Sequence, residues 1–264
     1  MIKISAFIFC LLPAIGLISC SDENKSEYGE IEIEFDNVVG DDDLALNTSS
    51  EVYTNSAGES YKVTTLRYYI SNIVLKKNDG SSFSDTVSPD GSKGFYLIDE
   101  SDNGSQHIHL ENVPVGDYSE ISFTIGVDAT TLNQSSQTGP LNPADGMFWN
   151  WNSGYIFVMI EGISTNSSDP SKEILYHVGG YKTDTSDPSL ANNLKSKTLS
   201  LGTEPALVRG DMTPEIHMIV DVDKFFASPH QIRFSENPVQ DVPAENAKIA
   251  DNYVNTFIVD HIHN

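Results

Sequence analysis

Cysteine is nearly missing from this chain. Only Cys10 and Cys20 stand among its 264 residues. Everything after Cys20 must fold without disulfides and cannot ligate a metal through thiolates. Basic charge is scarce as well: 15 Lys and Arg face 38 Asp and Glu, a formal net charge of -23. Such a surface repels phosphate backbones, which excludes nucleic acid as a partner. It also disfavours lying flat on an anionic membrane. The one long apolar run, residues 4–18, is too short and one-sided for a membrane span. There is no His-Glu-x-x-His, no Gly-x-Ser-x-Gly and no phosphate-binding loop. No enzyme is expected.

What is present begins with the leader, MIKISAFIFCLLPAIGLISC. Lys3 gives a positive start, and Leu17-Ile18-Ser19-Cys20 resembles a bacterial lipobox. That pattern implies cleavage before Cys20 and a lipid on Cys20, which would tether the protein to a membrane. The bland alternative is an ordinary secretion signal or a single anchor helix. On the lipoprotein reading the chain divides into a signal peptide (1–19), an acidic tether (20–30) and a folded domain (31–264). The acidic SDENKSEYGE resembles signals that send some lipoproteins to the outer face of the outer membrane. An outer membrane lipoprotein displayed at the cell surface is the expected location.

Strong helical periodicity is also scarce. GEIEIEFDNV alternates cleanly, with Ile31, Ile33 and Phe35 on one face and Glu30, Glu32 and Glu34 on the other. YKVTTLRYYISNIVLKK, GFYLIDE, GDYSEISFTIGVD, GYIFVMIEG, EILYHVGGY, SKTLSLG, EIHMIVDVDKFF and NTFIVDHIHN continue the series, separated by polar turns. Two segments look helical: the end of VDVDKFFAS, and PAENAKIADNYVNTF. The pattern predicts an all-β fold, a mostly antiparallel two-sheet sandwich with one or two short helices.

VTTLRYYISNIVL, YLID, VPVGDYSEISFTIGVD, GPLNPADGMFWNWNSGYIFVMIEG and YHVGGY follow one another in an order and spacing that resembles the MbnP-like copper-binding domain family. The resemblance runs from about Ile31 to the C-terminus. It implies an exported β-rich protein that binds copper, a haem-containing redox partner, and a tryptophan oxidised to kynurenine beside a histidine-ligated copper. The only tryptophans are Trp149 and Trp151, in the most specific part of the resemblance. One of them would be the oxidised or site-lining aromatic. Here the sequence departs from the pattern of a histidine two positions from the modified tryptophan: those positions hold Met147, Trp151 and Ser153. The structural reading is simpler. Trp149 and Trp151 share one face of an extended segment and wall off the core, and Gly154 lets the chain turn into the buried YIFVMI.

Imidazole suits copper, so the ligands are sought among His107, His109, His177, His217, His230, His261 and His263. Two His-x-His pairs place both rings on one strand face. His107 and His109 alternate with Ile108 and Leu110 beside Glu111, the pattern of a solvent face; His217 shares its face with Glu215 and Asp221. These three are the weaker candidates. Alternation puts His261 and His263 with Phe257 and Val259, on a face that turns polar at its end. His177 sits in the family-like YHVGG. The expected metal set is His177, His261 and His263; hydrogen-bonded structural imidazoles are the alternative. DESDNG imitates the start of a calcium loop, but Leu110 stands where a bidentate Glu is required. Two functions stay open. One is a lipoprotein that binds a transition metal, copper above all, for capture or delivery. The other is a non-catalytic surface sandwich that recognises a glycan or an envelope protein, which is favoured if His177 and the C-terminal pair lie on opposite sides.

Overall fold

The computed structural model describes residues 27–128, 137–150 and 152–264. The leader, Cys20, the lipobox and Trp151 lie outside the described residues. In chain order the strands are β1 (Tyr28–Val39), β2 (Asp42–Asp43), β3 (Tyr53–Thr54), β4 (Ser60–Lys77), β5 (Ser82–Ser84) and β6 (Phe95–Asp99). Next come β7 (His107–Pro114), β8 (Gly116–Ile125), β9 (Phe148–Asn150), β10 (Gly154–Ile163) and β11 (Glu173–Gly179). Last are β12 (Lys195–Ser200), β13 (Ala206–Val208), β14 (Glu215–Asp221), β15 (Val239–Gln240) and β16 (Phe257–His263). The α-helix among the described residues is α1 (Ala247–Tyr253), with a 3-10 turn at Val222–Phe226, as the sequence predicts. β1 starts at Tyr28, so the last residues of the expected tether are already strand.

The strands form an all-β sandwich. A smaller sheet runs β16-β14-β1-β2, with β7 also paired to β1. A larger, eleven-stranded sheet is built around β12-β8-β4-β10-β11-β15. Pairing is antiparallel except for β1 with β14 and β11 with β15. Ile31, Ile33 and Phe35 of β1, Ile216 and Met218 of β14, and Tyr68 and Ile70 of β4 fill the main core. The glutamates of β1 alternate outward, as period two requires.

The larger sheet is covered on both faces. Val158 and Ile160 of β10 enter the main core, while Tyr155, Phe157 and Met159 join a second cluster with Tyr69, Leu141 and Met147. That is why YIFVMI is continuously apolar rather than alternating. Trp149 packs against this second cluster, on the face turned away from the smaller sheet. Gly179 makes the seat: a Cβ there would lie 2.2 Å from the Tyr155 carbonyl oxygen and 2.9 Å from Trp149 Cζ3. Gly154 has φ +85°, the left-handed turn that feeds β10.

Candidate metal centre

The outer face of the smaller sheet gathers five of the seven histidines. Its strands run side by side as β16, β14, β1, β7. Register then writes two rows across the sheet. One reads His261, His217, Glu34, His107; the next reads His263, Glu215, Glu32, His109. All these side chains point outward because their chain neighbours Ile33, Ile108, Ile216 and Met218 are buried.

The C-terminal pair reaches this face by a route that simple alternation misses. His217 pairs with His261, but Met218 pairs with Val259, so Asp260 is a bulge. The extra residue shifts the pleat by one position. Phe257, Val259 and Ile262 therefore pack inward or against the core, and His261 and His263 face out. The expectation that the pair shares a face with Phe257 and Val259 is corrected by that bulge.

His217 is the deepest ring of the group, with side-chain exposure of 16%. Its Nε2 lies 3.7 Å from Glu34 Oε2 and 3.6 Å from Asp36 Oδ2. Its buried Nδ1 has no hydrogen-bond partner; Asp260 Oδ2, the nearest charge on that side, is 3.5 Å away. The same Asp260 oxygen accepts a hydrogen bond from His261 Nδ1 at 2.7 Å. His261 Nε2 then meets His263 Nε2 at 2.7 Å, with the rings edge to face. The His217 and His261 rings lie 4.7 Å apart. One donor atom each from His217, Asp260 and His261 fall within 4.8 Å of one another. Zinc-like bonds of about 2.1 Å set tetrahedral edges of about 3.4 Å, so this group would need side-chain rotation to close on one ion.

The electrostatics favour a cation. The hydrogen bond from His261 holds the Asp260 carboxyl below its ordinary range. Burial pushes the Asp36 carboxyl up; His217 opposes this, while Asp43, Glu34 and Asp260 add to the rise. Crowded carboxylates of this kind create a negative field that attracts positive charge, protons included.

His177 does not join this site. It lies on β11 of the larger sheet, its Nε2 2.8 Å from Glu161 Oε1, and Thr65 donates to the other Glu161 oxygen. Its chain neighbours Tyr176 and Val178 belong to the main core, so His177 faces the opposite side of the sandwich. The expected trio of His177, His261 and His263 is therefore split. The weaker candidate His217 stands beside His261 instead, and His107 and His109 line the same face, paired with Glu32 at 2.8 Å and Glu30 at 3.2 Å. His230 pairs with Asp251 at 3.1 Å, away from the site. Asp99 of the calcium-like loop is held by Arg67 at 2.9 Å and by Ser101. Sequence reasoning missed Asp260, although its place beside His261 was visible.

No curated protein matches the chain by sequence. The solved structure of MbnP from Methylosinus trichosporium resembles it with a TM-score of 0.49 and 16% identity, over 82% of this chain and 80% of that one. The MbnP family model matches residues 28–246. That span ends before β16, so Asp260, His261 and His263 lie beyond it. Because the match covers most of the chain, this protein belongs to the MbnP family, binding domains with a metal-related role.

Proposed function

We propose that this protein binds copper on the outer face of its smaller sheet, for capture or delivery at the cell surface, tethered through a lipid on Cys20. The observation that carries the reading is the convergence of His217 Nδ1, buried and without a well-formed hydrogen bond, with Asp260 and His261. A buried nitrogen whose polar contact is a 3.5 Å approach to Asp260 is poorly satisfied, and a ligand would complete it. His217, His261 and Asp260 would hold the ion, and His263 would orient His261 through the Nε2 contact, as groups behind metal-bound histidines do. Two imidazoles and a carboxylate suit copper(II), which stands highest among first-row divalent ions for such donors. A bound ion would also neutralise the crowding of Glu34, Asp36 and Asp260 around His217.

Copper titration of the purified protein tests this. One tight site is expected, lost in His217→Ala and in His261→Ala. The separation of His177 from the C-terminal pair favours the second reading, a surface recognition sandwich for a glycan or envelope protein. A protein that takes up no copper in the titration would leave that reading standing.

No helix among the described residues is long and apolar enough to cross a membrane. The lipid anchor is tested by Cys20→Ser, which should move the protein out of the membrane fraction. Surface display is tested by shaving intact cells with protease.

A further inference from the structure

A second group of donors lies on the same face. One atom each from Glu32, His107 and Glu215 fall within 4.8 Å of one another. They come from three neighbouring strands, β1, β7 and β14. We propose that they form a second cation site that takes a divalent ion of the zinc class. It shares no ligand with the group of His217, Asp260 and His261, and it does not depend on copper being bound there.

Three observations argue for an ion. First, Glu32 and Glu215 are direct register partners on adjacent parallel strands. Like charges placed opposite one another on a sheet are destabilising, and these two carboxylates are half-buried. Second, no lysine or arginine relieves them: among the described residues every Lys and Arg ion pair lies elsewhere. The Glu215 carboxylate has no hydrogen-bond or ion-pair partner among the described residues, although His263 is its register partner; Glu32 pairs with His107, Nδ1 at 2.8 Å from Oε1, and has His109 as its register partner. Third, the group repeats the chemistry of the first site. In each, a carboxylate oxygen holds a histidine Nδ1 within 2.8 Å, and a third donor from a neighbouring strand faces the pair.

The donor set selects the ion. One imidazole and two carboxylates are harder than two imidazoles and one carboxylate, so copper(I) is disfavoured and zinc-class divalent ions fit. Glu215 and His217 are two apart on β14, about 7 Å along the strand. The two ions would therefore be close neighbours on this face.

Zinc titration of the full protein by equilibrium dialysis tests the proposal. Wild type should bind a second zinc ion beyond the one at the first site. Glu215→Gln, nearly identical in shape, should remove one zinc ion or weaken that step by roughly tenfold or more. Glu32→Gln should do the same, which guards against a local effect of either substitution. His261→Ala should remove the other ion and leave this one. Circular dichroism identical to wild type shows that the variants fold. A wild type that binds a single zinc ion, unaffected by Glu215→Gln and Glu32→Gln, overturns the second site and leaves the copper reading intact. If copper fails to bind while zinc is still lost in both glutamine variants, the copper reading falls and the second site stands.

Discussion

Asp260 is the most informative residue to change. Its Oδ2 accepts from His261 Nδ1 at 2.7 Å and lies 3.5 Å from the unpartnered Nδ1 of His217, so one oxygen touches two rings of the site. Asp260→Asn keeps the shape and an acceptor oxygen but removes the charge and most of the ligating power. The side chain is exposed and sits on a bulge, so the fold should not change. Loss of a group that only orients a ligand costs roughly 10–100-fold in metal affinity. Loss of one that contacts two ligating rings should lie at or above the upper end of that range. The assay is competition against a chromophoric copper chelator at neutral pH. Net charge -23 creates a second, unspecific attraction for cations, which salt screens over about 10 Å at 0.1 M. Glu30→Gln is the control, because it removes the same charge from the same face near His109. The expected result is a large loss in Asp260→Asn that persists at high salt, and a small loss in Glu30→Gln that salt erases. Equal losses in both variants, both abolished by salt, would refute ligation and reduce the site to diffuse attraction.

Further outcomes are expected. His177→Ala should leave copper affinity unchanged, since the ring is bonded to Glu161 on the opposite face; copper titration of that variant checks it. Copper affinity should fall as the solution is acidified, because protons compete with the metal for the imidazole lone pairs; copper titration at a series of pH values checks it. Glu59 is buried and accepts from Asn55, Ser235 and the backbone N–H groups of Phe234 and Ser235. Burial alone would raise its carboxyl, but these bonds hold it below the ordinary value. Its stabilisation is therefore present above the unfolded value of about 4.3 and lost as pH falls through the lower folded value. Glu59→Gln should cost about 2 kcal/mol or more in urea unfolding, and wild-type stability should drop below about pH 4. Gly179→Ala should cost about 1–3 kcal/mol, because the new Cβ meets the Tyr155 carbonyl at 2.2 Å, and should shift tryptophan fluorescence through Trp149.

Much of the architecture was legible locally. Period-two alternation in β1 separates Ile31, Ile33 and Phe35 from Glu30, Glu32 and Glu34, and the structure keeps that division. The apolar run of β10 and the short α1 were equally readable, because burial pattern and helix propensity act over a few residues. The lipobox-like leader is likewise a purely sequential signal. The site was not legible in this way. Whether Glu32 meets Glu215, or Glu34 meets His217, depends on a parallel pairing of strands far apart in the chain, and alternation carries no information about register between strands. His261 and His263 were singled out by their spacing, yet the bulge at Asp260 decides which way they face. His177, their expected partner, was assigned by local resemblance, and the tertiary fold put it on the other sheet. Sequence by itself determined which residues point in or out along regular strands, since that follows from the pleat. Only the tertiary structure decided which outward residues stand side by side, because strand order and bulges come from closing the whole core.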